Sequence, residues 1–218
     1  MKDQEIDAAM ESLRQATLEW TMPYVTALAL RSHNPFRVLI STMLSLRTKD
    51  AVTAEASRRL FALADTPRAM IKLTPRQIEK AIYPTGFYRT KAKNILLVCQ
   101  ELIDRYKAQV PDDIEALIAL PGVGRKTANL VITQGFGKPG ICVDTHVHRI
   151  TNRWGYIKTS LPEQTEIALR EKLPSQYWIA INDLLVALGQ NICHPTSPKC
   201  SICPVKQYCD RVGVTRSR

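Results

Sequence analysis

Residues 120–128 read Leu-Pro-Gly-Val-Gly-Arg-Lys-Thr-Ala, a glycine turn that is followed at once by the start of a helix. Asp112 is placed to cap a short helix that runs to Leu120, and the next helix is predicted from Arg125 to Gln134. The two glycines permit left-handed backbone and let an anion approach without a Cβ in the way. The stretch therefore predicts a helical hairpin whose turn is either an ordinary connection or a phosphate-binding one.

Helical patterns continue on both sides of this hairpin. Thr74-Pro75-Arg76-Gln77 is typical of a helix start, and apolar residues recur every three or four positions over residues 92–106. Another helix is predicted after Pro35, and Asp50 is placed to cap the one that follows. Later helices are predicted at 145–154, 163–173 and 176–189. Since no alternating strand pattern occurs, the sequence predicts an all-α protein, with its clearest break at residues 135–140.

The charge of the chain is strongly positive. Thirty lysines and arginines stand against 20 acidic residues, which gives a net charge of +10; the first 20 residues carry −3 and the rest of the chain +13. A basic body favours a polyanionic partner, although charge alone leaves a solvated basic surface equally open. No apolar run approaches the roughly 20 residues that span a bilayer, and the polar start lacks a secretory signal. We therefore expect no membrane association and a cytoplasmic location, at the nucleoid if the source is prokaryotic.

Four of the six cysteines crowd into 17 residues. Cys99 and Cys142 stand alone in apolar stretches, where cysteines pack as small hydrophobic residues. The other four follow the pattern Cys-x6-Cys-x2-Cys-x5-Cys: Cys193, Cys200, Cys203 and Cys209. In an intracellular protein this crowding favours a metal site over a disulfide framework. Four thiolates suit zinc or an iron–sulfur cluster, and the spacing alone leaves both open.

Two other residues are candidates for chemistry. Lys126 lies in the first turn of a predicted helix beside Arg125, where the helix dipole and the guanidinium both disfavour an ammonium ion. A neutral amine is a nucleophile that forms Schiff bases, although a lysine here also suits contact with a phosphate. Asp144 is placed to cap the helix at 145–154, and an aspartate there that faced DNA would stabilise positive charge.

Three motifs in this order resemble the endonuclease III family of DNA glycosylases, within the helix-hairpin-helix glycosylase superfamily. They are the hairpin at 120–128, Val143-Asp144-Thr145-His146, and the cysteine pattern that begins at Cys193. The resemblance extends from about Asn34 to Cys209, which is most of the chain. It implies a six-helix barrel with the helix-hairpin-helix at 27–138. It also implies a second helical domain, built from residues 1–26 and 139–218, with DNA in the cleft between the two.

The resemblance also implies an activity and its residues. The protein would remove oxidised pyrimidines from double-stranded DNA and cut at abasic sites, as a monomer, with Lys126 as the nucleophile and Asp144 as its partner carboxylate. A [4Fe-4S] cluster would be held by the four cysteines and would be structural. The candidate DNA contacts are Arg47, Phe87, Gly122, Val123, Gly124, Arg125 and His146.

Two positions depart from the pattern of the family. Ser45-Leu46-Arg47 stands where the family commonly has Ser-x-Gln, and Gly86-Phe87-Tyr88 stands where it has Gly-Leu-Tyr. These are the residues that would fill the gap left by an extruded nucleotide. Since arginine is the usual partner of guanine edges, Arg47 makes a mismatch glycosylase acting opposite guanine the first alternative. The second is a non-catalytic iron–sulfur DNA-binding module, against which the pair Lys126 and Asp144 argues.

Overall fold

The computed structural model describes all 218 residues, and they form helices and loops without a strand. The helices are α1 Ile6–Thr17, α2 Tyr24–Ser32, α3 Pro35–Ser45, α4 Asp50–Leu63, α5 Pro67–Met70, α6 Pro75–Ile82, α7 Tyr88–Tyr106, α8 Ile114–Ile118, α9 Arg125–Leu130, α10 Thr145–Arg153, α11 Pro162–Lys172 and α12 Ala180–Asn191. The predicted all-α class is confirmed. None of these helices is both long and apolar enough to cross a lipid bilayer.

The chain divides into two compact units. The continuous unit is residues 24–138, and the two-segment unit joins residues 1–23 to 139–218. The resemblance to the family places residues 24–26 with the N-terminal segment, but they belong to the continuous unit because α2 begins at Tyr24.

The continuous unit is built around α3. This helix packs on α2, α4 and α7, and nearly all of its residues are buried. Asn34 caps it by accepting hydrogen bonds from the backbone of Phe36 and Arg37, and Pro35 supplies the first helical position. The capping box predicted for α6 is confirmed, with Thr74 and Gln77 bonded to each other's backbone.

The two-segment unit has its own core. Helix α1 from the N-terminal segment packs on α12, and α10 packs on both α11 and α12. Trp154 and Tyr156, which follow the end of α10, are its largest fully buried side chains. Because α10 is central to this core, the residues at its N-terminus are held on a rigid element.

The structure corrects several local predictions. Asp113, not Asp112, caps α8, by accepting from the backbone N–H of Ala116 at 2.9 Å. Asp50 is the first residue of α4 and not its cap, and its carboxylate accepts from the backbone of Tyr24 instead. The helix predicted at 125–134 is α-helical only to Leu130 and continues as a π-helical turn, Val131–Gly135. The last helix begins at Ala180, after a separate 3-10 turn at Ser175–Tyr177.

Candidate functional site

The hairpin lies in the continuous unit, where α8 and α9 are joined by residues 119–124. Gly122 has a φ of +74°, and a Cβ there would come within 2.3 Å of the side-chain nitrogen of Asn94 on α7. Val123 is buried and anchors the turn, whereas a Cβ on Gly124 would meet nothing within 4 Å. The backbone is thus fixed on one side and open on the other, as a turn that admits a phosphate requires.

Lys126 is the second residue of α9 and is exposed. It follows Gly124, which occupies the N-cap position, so the amine projects from the same hairpin as the open backbone. Beside it, the guanidinium of Arg125 lies 4.0 Å from the carboxylate of Glu115 on α8. The first backbone N–H groups of α9 have no acceptor within the helix, which favours an anion at this end.

Asp144 lies in the two-segment unit and caps α10, as predicted from the sequence. Its Oδ1 accepts hydrogen bonds from the backbone N–H groups of His146 and Val147, at 2.8 and 2.9 Å. The other oxygen, Oδ2, is not part of this cap. The carboxylate is half-buried and has one oxygen fixed by its own helix, so its orientation is set before any substrate arrives.

The segment that leads to Asp144 is also fixed. Residues 141–143 are buried, and the side chain of Asn182 on α12 donates to the carbonyl of Cys142 at 3.0 Å. Asn182 interrupts the apolar pattern of its helix, and this hydrogen bond gives the physical reason for a buried amide there. His146 lies just after Asp144, and its ring nitrogen Nδ1 is 3.1 Å from the guanidinium of Arg149.

Arg47 and Phe87 are brought together in the continuous unit. The guanidinium carbon of Arg47 lies 5.4 Å from the centre of the Phe87 ring, within the range of a cation–π interaction. Both side chains are exposed, and Phe87 has 63% of its surface accessible. Phe87 is therefore a surface side chain and not the core residue that its hydrophobicity also allowed.

The four cysteines line one pocket of the two-segment unit, together with basic side chains. Arg153 donates to the sulfur of Cys193 at 3.3 Å, and Lys199, Lys206 and Arg211 complete part of the wall. No three His, Cys, Asp or Glu side chains are grouped so that they could hold a single metal ion. Four thiols around a shared pocket fit a multi-iron cluster, whose negative charge with thiolate ligands the basic wall would offset.

The electrostatics of the cysteine thiols agree with this fit. Burial raises the pKa of the Cys203 thiol to about 11 and also raises that of Cys209, and the neighbouring cysteines act in the same direction. Thiolates at these positions therefore need compensating positive charge, which iron supplies on binding. The residues present thus fit an iron–sulfur cluster.

Several residues of this region were not singled out from the sequence. Arg149 and Arg153 lie four positions apart on α10 and both bond to Cys193, through its carbonyl and its sulfur respectively. Their spacing on one helix face was visible, but their partner lies some 40 residues away along the chain. Lys91 was also missed, although it falls on the apolar face of α7, where a lysine is unusual.

Comparison with known proteins identifies the family. Residues 40–175 match the HhH-GPD superfamily of base excision DNA repair proteins, and residues 193–209 match the iron–sulfur binding domain of endonuclease III. The chain belongs to the HhH-GPD superfamily.

The relatives are closely similar over most of their length. The chain is 48% identical to endonuclease III of Thermotoga maritima, over 81% of this chain and 83% of that protein. It is 36% identical to endonuclease III of Escherichia coli (strain K12), over 83% of this chain and 86% of that protein.

The solved structures agree. A trapped endonuclease III–DNA covalent intermediate superimposes with a TM-score of 0.85, at 33% identity over 97% of each chain. A thermostable thymine-DNA glycosylase shares the fold, with a TM-score of 0.80 at 23% identity over 95% of each chain. These matches confirm the predicted family and the iron–sulfur cofactor. The enzyme is a DNA glycosylase and AP lyase of base excision repair.

Proposed function

We propose that this enzyme removes oxidised pyrimidines, such as thymine glycol, from double-stranded DNA, with Lys126 as its nucleophile and Asp144 as its electrostatic partner. The observation that carries the assignment is the exposed lysine in the first turn of α9, directly after the open glycine turn. A lysine there gives an amine next to a backbone that can bind a phosphate. Action as a monomer, which the resemblance to the family implies, is part of this proposal.

The first chemical step is loss of the damaged base. A base inside a duplex is out of reach, so the nucleotide must be extruded from the stack. The nitrogen of the Lys126 amine then attacks C1′ of the sugar, while the bond from C1′ to the base breaks and its electrons leave with the base. The amine must be neutral at this moment, and its excess proton is lost after attack.

Asp144 acts on the charge that develops in this step. Positive charge builds up on the sugar as the base leaves, and a preoriented carboxylate stabilises it. Its Oδ1 is held by two backbone N–H groups of α10, so that Oδ2 is left to face the sugar or to accept the proton from Lys126.

Strand cleavage follows from the covalent intermediate. Opening of the sugar ring gives a Schiff base between Lys126 and C1′, which makes the hydrogen on C2′ acidic. Removal of that proton breaks the bond between C3′ and its phosphate oxygen, so the strand is cut on the 3′ side. Hydrolysis of the imine then restores the lysine. Base removal and strand cleavage thus use the same amine.

The surrounding residues bind the DNA. The backbone of Gly122, Val123 and Gly124 would contact a phosphate, with Arg125 adding positive charge beside it. Arg47 and Phe87 would fill the space left by the extruded nucleotide, since an aromatic ring stacks on bases and a guanidinium does so as well. His146, the second residue of α10, is the remaining candidate contact.

The cluster has a structural role in this proposal. Cys193, Cys200, Cys203 and Cys209 would hold it, and when bound it would cross-link residues 193–209 into one fixed loop. Lys206 in that loop and Arg211, two residues beyond it, line the cysteine pocket and would also contact phosphates of the bound DNA.

A mismatch glycosylase that acts on uracil or thymine opposite guanine is the second candidate. It is favoured by Arg47, an exposed arginine at the position that would face the orphaned base. Arginine makes two hydrogen bonds to the edge of guanine, and this geometry discriminates it from the other bases.

A lesion panel separates these candidates. Duplexes that contain thymine glycol, uracil opposite guanine, thymine opposite guanine or no lesion are incubated with the enzyme and with borohydride, which reduces an imine to a stable adduct. We expect a covalent protein–DNA adduct and strand cleavage with thymine glycol. Efficient release of mispaired uracil or thymine, with no reaction at thymine glycol, would establish the second candidate instead.

A further inference from the structure

The loop that carries Arg47 is a tight turn directly after α3. The backbone N–H of Thr48 donates to the carbonyl of Ser45 at 3.1 Å, which closes a four-residue turn. Leu46 has φ −57° and ψ 120°, and Arg47 has φ 51°, so the turn is of type II. The third position of such a turn favours glycine, and an arginine there needs support from its surroundings.

That support comes from Lys91 on α7. Its side chain is buried, and its amine donates to the carbonyl oxygens of Leu44 and Leu46, at 2.6 and 2.7 Å, and to the hydroxyl of Thr48 at 3.0 Å. These three bonds use all the donors of an ammonium group. The carbonyl of Leu44 belongs to the last turn of α3. Carbonyl groups at the end of a helix have no N–H partner within it and attract positive charge.

The backbone of Lys91 is bonded to the loop that carries Phe87. Phe87 also has left-handed backbone, with φ 56°, and its carbonyl accepts the backbone N–H of Lys91 at 3.0 Å. The preceding Gly86 donates its N–H to the hydroxyl of Thr48 at 3.1 Å. A Cβ on Gly86 would come within 2.6 Å of the carbonyl oxygen of Arg47, so only glycine permits this approach. The two loops are thereby joined at Thr48.

Lys91 has no place in the chemistry proposed for Lys126. Burial lowers the pKa of its amine to about 8, because removal from water disfavours the charged ammonium. Every hydrogen bond of that amine goes to the Arg47 turn or to the end of α3 before it. Above the turn, the Arg47 guanidinium is already stacked on the Phe87 ring.

We propose that Lys91 is a positioning residue, whose amine, with Thr48, fixes the two loops so that Arg47 and Phe87 enter DNA as one preassembled pair. This inference rests on the proposed function, because it takes the pair to occupy the space of the extruded nucleotide. Fixing two exposed side chains before binding lowers the conformational entropy lost on DNA insertion. Lys91 would therefore govern how the enzyme engages the duplex and the orphaned base, and not the reactivity of Lys126.

The test uses Lys91→Met, which keeps the stem and removes the amine, and Thr48→Val, which replaces the shared hydroxyl by a methyl group. Lys93→Met is the matched control, since it removes the charge of an exposed lysine on the same helix. The probe is an abasic strand, used single-stranded or paired so that fluorescent 2-aminopurine lies opposite the abasic site. The two readouts are the ratio of duplex to single-strand cleavage rates and the rise in 2-aminopurine fluorescence on binding.

We expect the rate ratio to fall about tenfold in Lys91→Met and by a smaller factor in Thr48→Val, with a smaller fluorescence rise in both, because the pair is no longer held in register. In a Phe87→Ala background, Lys91→Met should lower the rate ratio little further, because the effects of substitutions at coupled residues are not additive. A ratio and fluorescence rise equal to those of Lys93→Met would overturn the inference. If Lys91→Met does not fold, Thr48→Val decides alone.

The design separates this inference from the proposed function. If the wild-type enzyme cleaves the abasic strand neither alone nor in the duplex, the Schiff-base assignment fails. The fluorescence measurement still tests the positioning role, because it requires only binding. If the wild-type enzyme cleaves both but the variants keep its ratio and fluorescence rise, the positioning role alone is wrong.

Discussion

The guanidinium of Arg153 donates a hydrogen bond to the sulfur of Cys193 at 3.3 Å, from the last turn of the helix that Asp144 caps. Arg153 also donates to the carbonyls of His194 and Pro195, at 2.7 and 2.6 Å. One side chain thus ties the beginning of the cysteine loop to α10. The helix that orients the carboxylate and the loop that holds the cluster are parts of one hydrogen-bonded assembly.

Arg153→Met should therefore weaken the cysteine loop. The carbonyls of His194 and Pro195 and the sulfur of Cys193 lose their hydrogen-bond donor. We therefore expect the free energy of unfolding to fall by about 2 kcal/mol, and the iron content to fall as well. Thermal unfolding and the ratio of iron to protein measure the two effects. Arg58→Met is the control, because Arg58 is exposed and pairs only with Glu55 on its own helix. Equal iron content in the two variants would contradict this role of Arg153.

Under the proposed function, Lys126→Ala should abolish both the borohydride adduct and strand cleavage, because the variant lacks the amine proposed to form the imine. Binding to undamaged DNA should change little, since the glycine turn proposed to contact a phosphate is retained. Gel-based trapping and a binding titration measure these properties. Lys80→Ala, an exposed lysine on α6, serves as the control and should trap like the wild type. A wild-type yield of adduct from Lys126→Ala would show that another amine is the nucleophile.

Asp144→Asn keeps a good cap for α10, because an amide oxygen can accept the same two N–H groups, but it removes the charge. We expect base removal to slow by about 10²–10³, the usual effect of losing one electrostatic stabiliser. Cleavage at a preformed abasic site should slow less, because no base has to leave. Single-turnover rates on the two substrates give the comparison, and equal losses on both would argue against a role in base departure.

Arg47→Gln restores the residue type that the family commonly has at this position. We expect it to change the preference for the base opposite the lesion more than the overall rate, because arginine and glutamine read different base edges. Cleavage rates with each of the four opposite bases measure this. A uniform change across all four would mean that Arg47 contacts only the DNA backbone.

Much of this architecture was predictable from local sequence. The glycine turn at 120–128 predicted the hairpin, and Asp144 before a polar-faced helix predicted its cap. These predictions succeed because turns and caps are determined by neighbouring residues. The prediction of Asp112 as the cap of α8 was wrong by one residue: Asp113 caps the helix, and the Asp112 carboxylate pairs with the distant Lys138 at 2.6 Å instead.

The features that the sequence did not predict depend on contacts between distant parts of the chain. The partners of Lys91 lie more than 40 residues earlier, and the partner of Asn182 lies 40 residues earlier. A buried polar residue implies a hydrogen-bond partner, but the sequence does not identify that partner. The same is true of Arg47 and Phe87, whose proximity follows from the packing of α3 and α7 and not from any shared motif.

The left-handed backbone of Arg47 and Phe87 has a consequence for efforts to make this enzyme more robust. Glycine adopts this conformation with less strain than any other residue, so substitution by glycine would relieve about 1 kcal/mol at either position. Each such change would also delete one member of the pair that we propose engages DNA. Folding stability and DNA engagement are thus opposed at these two positions, and stabilising substitutions belong elsewhere in the chain.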